Sequence, residues 1–204
     1  LEAQEESETT FLPEAAARFP GIVGQTIVLG STISAIAIWS TRQKYFGKEN
    51  RALINKTYRS KFSKITGAAL VGVLVSNFVM IAVQTVRLET SPIDVLGTSF
   101  GATWLMRMII TIILLGIWFW MERKPRLTGK KHIPMLVASL VLIFTTTLLG
   151  HGTATELVAP VVLDYMHNLL SSVWIGGVIF FAFVILPTLA KLDWMEKEKI
   201  VLAI

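Results

Sequence analysis

The stretch TWLMRMIITIILLGIWFWMERKPR, residues 103–126, decides the class of this protein. Residues 103–121 carry a single charge, Arg107, and are otherwise almost wholly apolar. As helix they rise roughly 28 Å, close to the ~30 Å of hydrocarbon in a bilayer. The run then meets Glu122, Arg123, Lys124, Pro125 and Arg126, where charge and proline end it. Working outward, four more stretches have the same character, at 21–40, 65–86, 133–150 and 168–186. Barrel strands are shorter and alternate in polarity, so run length selects helices. The expected fold is all-α: an integral membrane bundle of five transmembrane helices in a lipid bilayer.

Composition agrees. Hydrophobic residues make up 53% of the 204 and charged residues 16%, against about 25% charged in a typical soluble domain. The mean hydropathy is +0.61. Cysteine is absent, which removes thiolate metal sites, iron–sulfur clusters and CxxC redox chemistry. The net charge of +5 does not point to nucleic acid, because the basic residues sit between the apolar runs, as topology determinants do.

Those residues sort by loop. Residues 41–64 hold eight Lys or Arg against Glu49, and residues 122–131 hold five against Glu122. Lys191, Lys197 and Lys199 follow the fifth run. By contrast, the segment before the first run has five glutamates and Arg18, and the loop 151–167 has Glu156 and Asp164 with no Lys or Arg. The positive-inside rule then puts the N-terminus outside and the C-terminus in the cytoplasm of a plasma-membrane protein. Residues 1–19 form an extracytoplasmic N-terminal segment. Because Leu1 is not an initiator methionine, a signal peptide or further domain is expected upstream, and EKEKIVLAI at 196–204 reads as the start of another helix.

Polar groups within the spans cluster toward one side. Gln25 lies near the outer end of the first; Asn77, Met80 and Gln84 share a face of the second; Trp104, Arg107 and Met108 open the third. Thr147 and His151 end the fourth, and Met166, His167, Ser171 and Trp174 open the fifth. The expected arrangement is a polar pocket open to the outside above an apolar inner half. Arg107 needs a partner there, since burying it costs about 2.5–3.5 kcal/mol on insertion scales. The choices are Asp94, Glu89, a bound anion or a snorkelling route to headgroups. Gly30 with Ser34, and Ser172 with Gly176 and Gly177, have the spacing of close helix contacts.

Imidazole binds copper and thioethers suit the cuprous ion, so His151, His167, Met166 and Met80 are the candidate metal ligands. Glu156 and Asp164 supply oxygen ligands or attract cations to the mouth. Two histidines without tight spacing serve equally as hydrogen-bonding groups, and methionines as packing. His132, beside Lys130 and Lys131, reads as interfacial. There is no nucleophile–base pair, HExxH or phosphate-binding glycine loop, so no enzyme is expected.

GHGTA at 150–154 followed by DYMHNLLSSVWIGGVIFF at 164–181 resembles the copper resistance protein D family. So do TSFGATWLMRMIITIILL at 98–115 and KFSKITGAALVGVLVSNF at 61–78. The resemblance runs over roughly 20–204 and implies a CopD-like transmembrane domain there, with a further Phe-Ser and a sixth span in a continuation. It implies copper import or copper handling at the membrane, with copper as the ion bound. An extracytoplasmic copper-binding β-sandwich of the copper resistance protein C type is the implied partner. By position, His151 and His167 match the family's histidines, Trp174, Gly176 and Gly177 its helix motif, and Gly101, Trp104 and Arg107 its third-span motif. Two other readings remain open: an accessory subunit of a copper-dependent monooxygenase or oxidase complex, and a haem protein with His151 and His167 as axial ligands.

Overall fold

The structure, a computed structural model, describes residues 12–40, 48–124, 129–149 and 158–191. Every regular element among them is helical. Helix α1 (Leu12–Ser34) ends in a π-helical turn, Ala35–Trp39, and α2 spans Lys48–Arg87. A short α3 (Pro92–Leu96) precedes α4 (Ser99–Glu122) and α5 (Gly129–Leu148). Helix α6 (Val158–Phe180) continues through a second π-helical turn, Phe181–Ile185, into α7 (Leu186–Leu189). Five helical stretches are long and apolar enough to cross a membrane, from Pro13–Trp39 to Val158–Leu189.

Three helices begin well before the apolar runs suggest, at Leu12 rather than 21, Lys48 rather than 65, and Val158 rather than 168, and the other two begin about a turn early. Hydropathy marks the part of a helix that suits lipid, whereas a helix persists as long as one of its faces is buried. In α2 that face is Ile54, Tyr58 and Phe62, spaced four apart among lysines and arginines, each nearly inaccessible. With 40 residues, α2 rises ~60 Å, about twice the hydrocarbon thickness.

This extension corrects the reading of His132. The ring is fully buried, edge-on to Phe62 with centroids 5.2 Å apart. Phe62 belongs to a cluster with Tyr58 and Phe180, and Tyr58 stacks on Trp39 at 4.0 Å. Because α2 outruns its apolar stretch, it covers a residue that the α5 sequence places at a boundary.

Polarity is distributed inside out. Gln25, Thr32, Thr66, Asn77, Arg107, Thr111 and Thr145 are buried, while Val71, Phe78, Ile109, Ile112, Leu170 and Phe183 face outward. In water that outer surface would be a large apolar patch; in lipid it is the ordinary one.

Helix α1 is the most enclosed of the five, packed on α2, α6 and α5. Its crossing with α6 has no room for side chains. A Cβ on Gly30 would collide with the Ser172 carbonyl oxygen and the Gly176 backbone, and one on Gly176 with the Thr26 carbonyl. The Thr26 and Ser172 hydroxyls lie 3.4 Å apart beside it. The paired small residues of the two sequences are therefore the contact itself. By contrast, a Cβ on Gly116 of α4 would meet nothing within 4 Å. Gly176→Ala is expected to destabilise the bundle by about 1–3 kcal/mol through overpacking. Gly116→Ala should instead be neutral or stabilise by up to about 1 kcal/mol. Thermal unfolding of both variants in detergent compares the two sites directly.

Candidate functional site

The site lies where α1 begins, α2 ends, α4 begins and α5 ends. Local turns set its geometry. Ser91 caps α3, accepting from the Asp94 amide at 3.3 Å and donating to the Asp94 carboxylate at 2.6 Å. The Ser91 hydroxyl, then that of Thr90, holds the Asp94 carboxyl below the usual carboxylate range. Thr98 caps α4 by accepting from the Gly101 amide at 3.1 Å. Gly101 is where α3 folds back on α4, since a Cβ there would strike the Val95 carbonyl and Leu96. One and two turns further along α4 come Trp104 and Arg107.

Arg107 is 3% exposed. Its Nε donates to Asn77 Oδ1 at 2.8 Å, and its Nη1 donates to Thr146 Oγ1 at 2.6 Å and Thr145 Oγ1 at 3.3 Å. Thr146 in turn donates to Gln25 Oε1 at 2.8 Å. Asn77 Nδ2 donates to Thr111 Oγ1 at 3.1 Å, and Trp104 Nε1 donates to the Asn77 backbone oxygen at 2.7 Å. One network thus joins α1, α2, α4 and α5. Of the expected partners of Arg107, Asp94 is engaged with Ser91 and Thr90, and Glu89 is exposed in the turn after α2 at φ 49°. Among the described residues, the groups that hold Arg107 are all neutral.

A cavity of about 160 Å³ adjoins the network, lined by Arg18, Ile22, Met80, Arg107, Thr146, Leu149, Asp164 and Asn168. Arg18 pairs with Glu14, which also pairs with Arg87, and donates to the Leu149 carbonyl at 3.2 Å. Asn168 donates to Asp164 Oδ2 at 3.0 Å and, at 3.4 Å, to Thr147 Oγ1.

The structure brings Met80, Asn77, Trp104, Arg107 and Asp164 to this cavity or its network. Gln84 is buried nearby without joining those side-chain bonds. The expected face of α6 points elsewhere: Met166 is 41% and Trp174 76% exposed, and His167 is exposed too. The reason is the α1 crossing. Gly176 must meet Gly30, so Asn168, Ser172 and Gly176 form the inward stripe, and residues one or two positions away turn outward. His151 and Glu156 lie outside the described residues. Among the described residues no three His, Asp or Glu groups gather to hold a metal ion. Sequence reading missed Thr145, Thr146, Asn168 and Arg18. The usable signals were the run Thr145–Thr147, the i,i+4 pair Asp164 and Asn168, and Arg18 as the one basic residue of an acidic segment.

A bundle that faces apolar side chains outward and secures a guanidinium among neutral donors and acceptors inside is a multi-pass membrane protein. Comparison with family models gives its kinship. Residues 10–161 match the copper resistance protein D-like N-terminal domain, and the chain belongs to that family. The match ends before His167, Trp174 and Gly176, whose motif lies beyond it. No curated protein and no solved structure matches the chain.

Asn77→Ala removes the acceptor for a buried charged donor, so a loss of roughly 2–3 kcal/mol is expected. Asn77→Asp keeps an acceptor for Arg107 Nε and should lose less. Denaturation midpoints of the two variants in the same detergent check the order.

Proposed function

We propose that this membrane protein imports or otherwise handles copper, accepting the ion on the extracytoplasmic side of the plasma membrane. The single observation that carries the reading is the family match over residues 10–161. The orientation rests on the basic segments 41–64 and 122–131, which put the N-terminus and the Arg107 end outside.

His167 and Met166 are adjacent and exposed on α6, and with His151, the neighbouring histidine in the sequence, they are the donors proposed for copper. Met80 has the right thioether, yet it lines a cavity with two guanidinium groups. A bare cation is repelled there, so Met80 is the weaker candidate and those donors the stronger. Asp164 adds a carboxylate at the mouth. A periplasmic copper-binding sandwich of the copper resistance protein C type would deliver the ion to this face.

Two measurements test the proposal. Copper affinity of the purified protein should fall by about tenfold or more in the His151→Ala/His167→Ala double variant; unchanged binding would remove these residues from the site. Because the chain has no cysteine, Ile93→Cys and Ser60→Cys each give a single label site. A membrane-impermeant maleimide should reach Ile93→Cys in intact cells and Ser60→Cys only after lysis. The opposite pattern overturns the orientation.

A further inference from the structure

Neutral groups hold Arg107, but they do not neutralise it. Among the described residues it takes part in no ion pair, and its Nη2 makes no hydrogen bond. Arg18 shows a matching deficit. Its two Nη atoms reach Leu149 and Glu14, while its Nε is buried with no acceptor. Two guanidinium groups, each with an N–H that meets no acceptor among the described residues, therefore line one cavity of about 160 Å³. A buried charged donor without a partner is costly and uncommon. The two positive charges also repel each other across the space. Among the described residues, Arg18, Arg87 and Arg107 stand against Glu14 and Asp164, which leaves one positive charge over.

We infer that this cavity binds a monovalent oxyanion group. A carboxylate-like head accepts from the Arg18 and Arg107 forks, the charge-assisted geometry that guanidinium suits best. Thr146 and Asn168 add polar wall, and Ile22 with Met80 provides an apolar side for a short substituent. The Asp164 carboxylate opposes a dianion, so the surplus of one charge selects a single negative charge. Two sources share this chemistry: a small free carboxylate or bicarbonate, and the phosphodiester of an anionic lipid headgroup. The inference does not depend on the copper reading, since the guanidinium donors it uses, Arg18 and Arg107, are not among the proposed metal ligands.

The test uses the full chain, delipidated in neutral detergent. Its thermal midpoint is followed against acetate at fixed ionic strength, balanced with a bulky sulfonate. A parallel series compares short-chain phosphatidylglycerol with phosphatidylcholine. The expected result is a saturable rise in midpoint with acetate, with phosphatidylglycerol or with both, and the active arm identifies the source. In Arg18→Gln the apparent Kd should weaken by about tenfold or more, and Arg107→Lys, which keeps the charge but not the fork, should weaken it as well. Two results overturn the inference. One is that neither anion exceeds its control; the other is that both variants respond as the wild type does. Copper affinity is read separately on the wild type and the His151→Ala/His167→Ala variant, so failure of the copper reading is distinguishable from failure of this one.

Discussion

A guanidinium at membrane depth must have its N–H groups met, and that requirement organises one end of this bundle. Arg107 cannot turn to water from where α4 holds it, so its neighbours come to it: Asn77 from α2, Thr145 and Thr146 from α5, and Gln25 from α1 through Thr146. Each of these side chains is itself held. Asn77 donates to Thr111, and Thr145 donates to the Leu142 carbonyl at 2.6 Å. Each bond requires its helix to present the right face, so the helices that supply the network are fixed in rotation as well as position.

The second constraint is steric and lies near the middle of the bundle. Gly30 and Gly176 let α1 and α6 touch backbone to backbone. That contact selects which stripe of α6 faces inward and brings Asp164 and Asn168 toward the cavity. The polar network and the glycine crossing both act on α1, through Gln25 and through Thr26 and Gly30 in the turns that follow. Together they explain why α1 is the most enclosed helix although three of the other four spans are more apolar.

The five crossings were legible because run length against bilayer thickness is a strong, local signal. Asn77, Trp104 and Arg107 were legible for the same reason: a polar or cationic group within such a run must turn inward. The rotation of α6 was harder to read. Its sequence offers two stripes, Met166–His167–Ser171–Trp174 and Ser172–Gly176, which lie on different faces. Choosing between them requires Gly30, on a helix some 140 residues away in the chain. Thr145 and Thr146 were hidden because threonine in a membrane helix ordinarily satisfies its own turn; only the nearby guanidinium gives them a second task. The depth of His132 was hidden because α2 covers it with a stripe diluted among basic residues.

The two π-helical turns, Ala35–Trp39 and Phe181–Ile185, lie at the end opposite Arg107, flanking the Trp39, Tyr58 and Phe180 cluster. The second comes just before Pro187, which has no N–H to give to a regular turn. A π turn holds one residue more than the α turn it replaces. The register of α6 is therefore offset by one position between the Gly176 stripe and the residues after Ile185. Excising a single residue from Phe181–Ile185 would let the turn close to α with the downstream side chains near their present faces, whereas the same deletion from a regular α stretch would swing them by roughly 100° about the axis. The π turn thus absorbs one residue of chain length between the two halves of the helix.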